Sequence, residues 1–459
     1  MKYNIRKIFL IFQKKLKRGE IMMLKRKNII LVLVILVLFS FNICASEKPF
    51  IGKTVYLAIS ETQTQTGEIF ELVKKVEEET GIKIEFNIMP TSKDGEIDKT
   101  LIGLMAGDEI DIIYKTDSKL KTYYNAGLLT PLKKLAKQNN YNMQKIYGYN
   151  LPKFDNKIYG LPVFNDIWLT FYNKKIFDQA GLEYPKADNW TWEKYIETAK
   201  KLTNTEKDIY GSYMLAYNNY NYMWAVQHGI AHYNKAGLTN YDKEIFAESL
   251  KFYYGLGNNL KIQPDSISYA SGEYAWNSFL ASDNLAMFVC GGWLASLLPD
   301  FENYPRDWEV GILPMPYPEG ETPSTLAVTG NYAIPTTSKN KEAAFAAISF
   351  MAENQYKLGY GRIPARVDLS DKEINNYIEN QLTPKFATDN ISTADFKKAW
   401  FDPKRKIYSE KLIGVADTTI NQIWDEEGKL YGQGQKSLES AIKAIKSRAD
   451  QAIKDEKNE

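Results

Sequence analysis

Alternation of apolar and polar residues along the N-terminal half predicts a repeating order of strand and helix. The segments KTVYLAIS (53–60) and IKIEFNIM (82–89) alternate with the two-residue period of a half-buried strand. Between them, apolar residues at helical spacing predict a helix over 69–80, which Gly81 ends. A further helix leads to a strand over 110–114. Strands that alternate with helices predict a parallel α/β sheet, with ligand-binding loops at the carboxyl ends of its strands.

The same alternation continues toward the C-terminus. Helices are predicted over 192–202, 243–256, 276–282 and 341–353 and from about 416 onward, and strands over 285–290 and 308–314. The loops that follow the N-terminal strands are 60–67, 115–118 and 165–168. The length of 459 residues is sufficient for two domains of ordinary size.

A basic and then apolar N-terminal segment predicts export. Lys25–Lys27 precede the uncharged run Ile29–Phe39, which is the order of charge and hydrophobicity in a secretory signal. This run is shorter than the roughly 17 to 25 residues that a membrane-spanning helix needs. Translation from Met22 or Met23 would give the signal an ordinary length. We therefore expect an exported protein, periplasmic or at the cell surface.

Processing of the signal segment, residues 1–45, stays open between two routes. Cys44 lies where the apolar run gives way to polar sequence, as a lipidated cysteine does, and ordinary cleavage after Ala45 is the other route. The lipidated form would be anchored to the membrane. The remaining cysteine, Cys290, stands alone and lies in an apolar run, so no intramolecular disulfide is possible.

Charge is distributed unevenly along the chain. The chain has 58 Lys and Arg and 56 Asp and Glu. The first 28 residues hold ten of the basic residues and one of the acidic residues. The other 431 residues therefore hold 48 basic and 55 acidic residues, a net charge of −7. A chain whose main part is acidic lacks the clustered basic residues that are typical of a nucleic-acid-binding protein. We therefore expect no nucleic-acid partner.

Patterns typical of catalysis or metal binding are weak. His228 and His232 stand four residues apart, a spacing that can hold zinc, but the glutamate of the metalloprotease pattern is missing and Gly229 weakens the helix. Cys290 lacks the sequence signature of a nucleophilic cysteine. No phosphate-binding glycine loop or dinucleotide fingerprint occurs. We expect no enzyme, no metal and no cofactor.

Aromatic residues are the positive signal, at 13% of the chain. The segment YNNYNYMW (217–224) mixes rings with three asparagines, and its Tyr222 and Trp224 are candidate ligand contacts. A sugar presents apolar C–H faces and a rim of hydroxyls, which aromatic rings and planar amides or carboxylates complement. The alternative is an ordinary solvated loop.

Five sequence blocks occur in an order that resembles one protein family. They are LIGLMAGDEIDIIY with YYNAGLLTPLKKL, YGLPVFNDIWLTFYNKKIFDQAGLEYP with NWTWEKYIETAKKL, NSFLASDNLAMFVCGGWL, WEVGILPMP through TGNYAIPTTSKNKEAAFAAISFM, and GRIPAR. Together they span nearly the whole chain after the signal. The chain resembles the extracellular solute-binding proteins of ABC importers, in particular the carbohydrate-binding group, family 1, that includes maltose-binding protein.

The resemblance implies a two-lobed fold that closes on its ligand like a Venus flytrap. Each lobe would be a mainly parallel sheet flanked by helices, one formed by 49–162 with 316–366 and the other by 165–314 with 370–459. Carbohydrate would bind in the cleft, and the closed form would deliver it to the importer permease and its ATPase. The resemblance also implies a monomer.

The resemblance further implies a set of ligand-binding residues. The strongest of them is Trp293, which follows Gly291-Gly292 and matches a tryptophan that stacks on sugar in this family. The others follow predicted strands or crossings between the lobes, where the alternative is a turn-forming or capping role: Glu61, Thr62, Gln63, Asp117, Ser118, Asn165, Asp166, Trp168, Gly330, Asn331 and Arg366.

Three other functions stay open at this stage. The same fold could bind a non-sugar solute, such as a polyol phosphate or an oligopeptide. An extracellular glycan-acting enzyme would need two carboxylates at a set separation, and the sequence does not fix the distances among Glu61, Asp117 and Asp166. A receptor would use the same cleft without an importer.

Overall fold

The computed structural model describes residues 50–60, 67–89, 98–358 and 362–458. The signal segment, Cys44 and the predicted contacts Glu61, Thr62 and Gln63 lie outside these described residues. Within the described ranges, no helix combines the length and the apolar character needed to cross a membrane.

The strands form one large mixed sheet and a small hairpin. Their bounds are β1 Lys53–Ser60, β2 Ile82–Met89, β3 Ile112–Thr116, β4 Lys153–Phe154, β5 Lys157–Ile158, β6 Gly160–Asn173, β7 Met287–Gly291, β8 Val310–Pro314, β9 Ser324–Ala333, β10 Ile363–Pro364 and β11 Lys406–Ser409. The main sheet has the order β10-β6-β9-β3-β1-β2, with β11 on β9 and with β7 and β8 on β6. β4 pairs with β5 apart from this sheet.

Strand β6 links the two parts of the sheet. Its sequence GLPVFNDIWLTFYN is almost continuously apolar, as a strand buried on both faces requires. Residues 160–167 pair with β9, and residues 168–173 pair with β7 and β8. The chain therefore passes from the N-terminal to the central part of the molecule inside one continuous strand, with a register shift between Pro162 and Phe164.

The α/β class is confirmed, but the sheet is less parallel than the strand and helix order predicts. β1 pairs in parallel with β2 and β3, and β9 with β11. β9 runs antiparallel to β3 and β6, and β6 runs antiparallel to β7, β8 and β10. The expectation of mainly parallel lobes therefore holds for β1, β2 and β3 and for the pair β9 and β11, whereas the pairings of the long strand β6 with β7, β8, β9 and β10 are antiparallel.

Helices cover both parts of the sheet. Their bounds are α1 Glu68–Thr80, α2 Lys99–Ala106, α3 Asp117–Asn125, α4 Lys133–Gln138, α5 Met143–Tyr147, α6 Lys174–Ala180, α7 Trp192–Leu202, α8 Asn218–Gln227, α9 Glu244–Asn258, α10 Ser266–Ala270, α11 Ser278–Ala281, α12 Lys341–Asn354, α13 Asp371–Tyr377, α14 Thr383–Lys385, α15 Thr393–Trp400, α16 Asp417–Gly432 and α17 Leu438–Asn458. The helix predicted over 276–282 is shorter than expected and leaves Trp276 in the preceding turn.

Hydrophobic clusters pack on both parts of the sheet. One gathers Ile113, Leu120 and Tyr123 around the N-terminal strands. A larger one is rich in aromatic side chains, with Trp192 and Trp424 fully buried. The division into two lobes with the expected boundaries stays a prediction.

Candidate functional site

A cavity of about 490 Å³ lies beside the middle of β6. Strand β6, the start of α8, the turn after β7 and the residues after β11 all contribute to its wall. We call it the Trp293 cavity, and it is lined by Asp166, Trp168, Leu215, Tyr217, Asn219, Tyr220, Trp276, Cys290, Gly291, Trp293, Leu297, Val328, Glu410 and Lys411. Three of the residues predicted from sequence, Asp166, Trp168 and Trp293, meet here.

The turn after β7 brings Trp293 to the cavity. β7 ends at Gly291, and Gly292–Ser296 form a short 3₁₀ helix. A Cβ atom on Gly291 would lie 2.6 Å from the indole ring of Trp293, and one on Gly292 would lie 3.0 Å from a carboxylate oxygen of Asp166. Close approach therefore requires both glycines, and the half-buried indole is held against the turn that carries it.

Exposed aromatic rings stand next to Trp293. The ring of Trp276 is 6.1 Å from that of Trp293, and Trp276 is 43% exposed. Tyr217, at the N-terminus of α8, is 48% exposed and lines the same cavity. Large aromatic side chains left open around a concave surface are typical of a binding site for a ligand with flat apolar faces.

Asp166 points a carboxylate toward the turn. It accepts a hydrogen bond from the backbone N–H of Trp293. The pKa of Asp166 is raised to about 6, mainly by burial. The nearby charge of Glu410 contributes to this rise, whereas Arg362 and the hydrogen bond from Trp293 oppose it. The carboxylate is ionised at neutral pH. Because it is buried, a further hydrogen-bond donor would stabilise its charged form.

Asp117, at the start of helix α3, also has a raised pKa. It is the first residue of α3, directly after β3, and it accepts a hydrogen bond from the backbone N–H of Ser118 at 2.9 Å. Burial raises the pKa of Asp117 to about 6, and Glu410 adds to the rise. Lys411 acts in the other direction. The charges of Asp117 and Asp166 therefore both interact with Glu410.

Glu410 organises the cavity wall. Its carboxylate accepts a hydrogen bond from Trp168 Nε1 at 2.7 Å and another from Asn219 Nδ2 at 3.0 Å. Lys411 Nζ lies 2.7 Å from the same carboxylate. Both oxygens are thus engaged, so Glu410 positions its neighbours. Trp168 itself is 2% exposed and packs on Tyr220, with ring centroids 4.7 Å apart.

A second cavity, of about 620 Å³, shares Lys411 with the first. It lies between the start of α3, the start of α8 and helix α16. Ser118, predicted from sequence, lines it together with Asn218 and Asn421. The carboxylates of Asp417, Asp425 and Glu426 also face this space.

The structure places three other predicted residues inside the sheet and not on the wall of the Trp293 cavity. Asn165 is 4% exposed; its Nδ2 donates to Asn150 Oδ1 at 3.1 Å, and its Oδ1 accepts from Thr329 at 2.9 Å. Asn331 is fully buried and donates to the carbonyl of Thr329. Gly330 is needed for space, because a Cβ there would lie 2.0 Å from the Tyr114 hydroxyl.

Arg366 also has partners within the protein. Its Nε and Nη2 form a bidentate pair with Asp368, at 2.9 and 3.1 Å, and Nη1 lies 3.9 Å from Glu353. A guanidinium held in this way is not aimed at either cavity. A ligand role for Arg366 stays a prediction without support from its geometry.

Tyr222 and Trp224 do not line the Trp293 cavity. Tyr222 is 1% exposed and packs edge-on against Trp424, and Trp224 stacks on Phe252 at 4.6 Å. Asn219 and Tyr220, from the first turn of helix α8, line the cavity instead. A ligand role for Tyr222 and Trp224 stays a prediction without support from their positions.

The site also contains residues that the sequence interpretation missed. Tyr217 and Asn219 belong to the aromatic and amide segment, but only the helical register of α8 selects them. Trp276 was assigned to a helix, and its exposure follows from the later start of α11. Glu410 and Lys411 follow the four-residue strand β11, which is too short to predict from its pattern.

The two histidines serve packing. A ring nitrogen of His228 lies 2.8 Å from the carbonyl of Trp224, and one of His232 lies 3.0 Å from the Tyr241 hydroxyl. Burial lowers the pKa of His232 to about 3, so its ring is neutral. In the part of the chain that the structure describes, no group of three or more His, Cys, Asp or Glu side chains is arranged to hold a metal ion.

Comparison with known proteins decides the family. The model of the bacterial extracellular solute-binding protein family matches residues 62–358. The chain belongs to this family. As a solute-binding protein it is also similar to a putative binding protein of Brucella abortus, with 23% identity over 416 residues that cover 87% of the chain and 93% of the relative.

Solved structures of other binding proteins share the fold of this solute-binding protein. An ABC substrate-binding protein of Listeria monocytogenes in complex with cycloalternan matches with a TM-score of 0.70 and 23% identity, covering 88% of this chain and 99% of that one. Maltose-bound MalE3 of T. maritima matches with a TM-score of 0.63 and 17% identity, covering 89% and 100%. The two-lobed solute-binding fold is thereby confirmed.

Proposed function

We propose that this solute-binding protein is the substrate-binding component of an ABC importer and binds a sugar or oligosaccharide in the Trp293 cavity. The observation that carries the proposal is the pairing of the open rings of Trp293 and Trp276 with the carboxylate of Asp166 in one cavity. Rings complement the apolar faces of a sugar, and carboxylates accept hydrogen bonds from its hydroxyls. The sugars and polyols named with its structural relatives support this ligand class.

Delivery would follow from closure of the two lobes around the ligand. β6 crosses between the parts of the sheet, and Asp117 on one side and Glu410 on the other already interact through their charges. A ligand that touches both sides binds the closed state more tightly and so shifts the population toward it. The permease subunits and their ATPase would be the partners that recognise this state.

We propose a binding role without catalysis. A glycosidase needs one carboxylic acid and one carboxylate free to act on the sugar. Both oxygens of Glu410 are engaged by Trp168, Asn219 and Lys411, which leaves Asp166 as the ionisable group of the cavity that lacks an ion-pair partner. Incubation with oligosaccharides followed by product analysis would reveal hydrolysis if this proposal were wrong.

Export and anchoring belong to the same proposal. We propose that the signal segment directs export and that processing occurs at Cys44 by lipidation or after Ala45 by cleavage. Mass spectrometry of the protein from its membrane fraction distinguishes the two routes. A Cys44→Ser variant that leaves the membrane fraction would support lipidation, and unchanged partition would support cleavage after Ala45.

The direct test is titration with a panel of mono- and oligosaccharides, polyols, peptides and phosphate esters. Tryptophan fluorescence reports the environment of Trp293 and Trp276, and thermal shift reports binding to the folded state. We expect sugars to raise the melting temperature and to change the fluorescence. A peptide or phosphate ester that does so while every sugar fails would overturn the sugar assignment and leave the family unchanged.

A further inference from the structure

The charges around the Trp293 cavity are not balanced. Glu410 is paired with Lys411, whose Nζ lies 2.7 Å from its carboxylate. Among the described residues, no Lys or Arg nitrogen lies within 4.0 Å of the carboxylates of Asp117 or Asp166. Within this part of the chain, Asp166 on the cavity wall and Asp117 at the start of α3 thus both lack a salt-bridge partner. Burial of an unpaired charge is unfavourable, so a bound positive group would be favoured here.

The charge of Arg362 also acts on Asp166, but its guanidinium contacts other side chains. Its guanidinium lies over the ring of Phe164, 4.4 Å from the centroid, and hydrogen-bonds with Tyr114. It acts on Asp166 through its charge but makes no ion pair with it. The positive charge of the protein therefore does not fill the place beside Asp166.

Asn219 provides an independent sign of a missing donor. Its side chain is 1% exposed and lines the cavity, and its Nδ2 donates to Glu410 at 3.0 Å. Its Oδ1 is buried and has no hydrogen-bond partner. Rotating the amide would set Oδ1 against the Glu410 carboxylate, so the orientation is fixed by charge. A donor that reached this oxygen on ligand binding would complete its hydrogen bonding.

The aromatic wall suits the same chemistry. The rings of Trp276 and Trp293 border the cavity on the side of Asp166. Indole faces attract cations through the ring quadrupole, in addition to stacking on apolar sugar faces. Rings, unpaired carboxylates and an orphan carbonyl oxygen together select for a group with several N–H donors and a positive charge.

We propose that the ligand is an amino sugar, free or within an oligosaccharide, whose protonated amine is received by Asp166 and Asn219. This inference rests on the proposed function of the cavity as a sugar site. An ammonium group has three donors and no acceptor, and so matches these acceptors and their charge. A neutral sugar supplies donors but leaves the carboxylates unpaired, and an acidic sugar adds repulsion.

Calorimetric titration of the purified protein with matched ligands tests the proposal. The two monosaccharide pairs, glucosamine with glucose and galactosamine with galactose, differ at one position, and the disaccharide pair, deacetylated chitobiose with cellobiose, differs at one position on each ring. We expect the amino member of the best-binding pair to bind roughly tenfold to a hundredfold more tightly at neutral pH, as charge-assisted hydrogen bonds imply. N-acetylation of that amine removes the charge and should remove most of this preference.

The Asp166→Asn variant removes the negative charge of this side chain and so tests whether the preference for amino sugars depends on it. It keeps the shape of the side chain and should reduce the ratio of amino-sugar to neutral-sugar affinity to near onefold, because the amine loses its charged partner. Asp188→Asn is the matched control, because Asp188 is exposed and faces Lys398 away from the cavity. Raising salt from about 50 to about 500 mM should weaken the amino sugar more than its neutral partner in the unmodified protein.

The outcomes distinguish this inference from the function beneath it. If neutral members bind as tightly as amino members in every pair, the amino-sugar inference is overturned and the sugar site stands. If Asp166→Asn keeps the full preference, the assignment of the amine to Asp166 is overturned. If no member of any pair binds, the sugar function fails and this inference fails with it.

Discussion

Two aromatic regions of this protein look alike in sequence and differ in use. The turn after β7 holds Trp293 open beside Trp276, whereas the second half of helix α8 buries Tyr222 against Trp424. The glycines at the turn leave room for the Trp293 ring to lie against the backbone at the rim of the larger core, whereas Tyr222 is buried inside that core. The difference teaches that the local backbone decides whether an aromatic ring keeps a face open to a ligand.

Tyr222→Ala should produce the largest effect on the core side of this comparison. Removing a fully buried aromatic side chain leaves a cavity, and the expected loss is about 3–5 kcal/mol of unfolding free energy. Chemical denaturation measures it. Tyr222→Phe is the control and should cost far less, since it keeps the ring and loses the hydroxyl with its hydrogen bonds to the Glu410 carbonyl at 3.5 Å and to Asn421 Oδ1 at 3.3 Å. A small loss in the alanine variant would place Tyr222 outside the core.

Trp293→Ala should reduce sugar affinity more than it reduces stability, the opposite of Tyr222→Ala. We expect a loss of roughly 1–3 kcal/mol in sugar affinity, by analogy with base stacking on aromatic side chains, and little change in melting temperature. Calorimetry and thermal shift measure the two quantities. Tyr184→Ala is a control that removes an exposed ring outside the cavity, where the exposed fraction is 41%. Unchanged sugar affinity in the folded Trp293 variant would return this ring to a structural role.

Gly291→Ala should weaken binding through the same ring. The added methyl group would meet the Trp293 ring at 2.6 Å and displace it, at a cost of about 1 kcal/mol or more in affinity. In the Trp293→Ala background the substitution should cost almost nothing further, because its clash partner is gone. A double-mutant cycle measures this coupling, and strictly additive losses would contradict it.

Asp166 should give a pH dependence of stability in the absence of ligand. Its folded pKa of about 6 lies above the ordinary value of roughly 3.9, so the folded state binds more protons between these values. This contribution therefore falls as pH rises from about 4 to about 6. The groups that face it are Arg362, Glu410, Tyr114 and Cys290.

Melting curves of the unmodified protein and of Asp166→Asn, recorded across this pH range, measure the effect. The difference between them should favour the variant increasingly toward pH 6 and above. Asp188→Asn should show no such trend, because that side chain is 79% exposed. A parallel pair of curves for Asp166→Asn would show that its carboxylate is not buried as described.

Local pattern predicted much of the fold. β1 and β2 begin and end where their alternation does, and α7 spans the predicted 192–202, because period and capping residues act within a few residues of each other. The mixed character of the sheet was not predictable. Partners of β6 come from residues 287–291, 310–314 and 324–333, and strand direction is set by these distant pairings.

The sequence by itself determined the strand and helix order, the acidic body, the family resemblance and the place of Trp293 after two glycines. The tertiary structure alone decided which side chains share a cavity. Asn219 and Glu410 are separated by 191 positions and meet at 3.0 Å, whereas Tyr222, three residues from Asn219, faces the core. Helical register and long-range strand pairing fix these positions, and neither is encoded in the pattern of one segment.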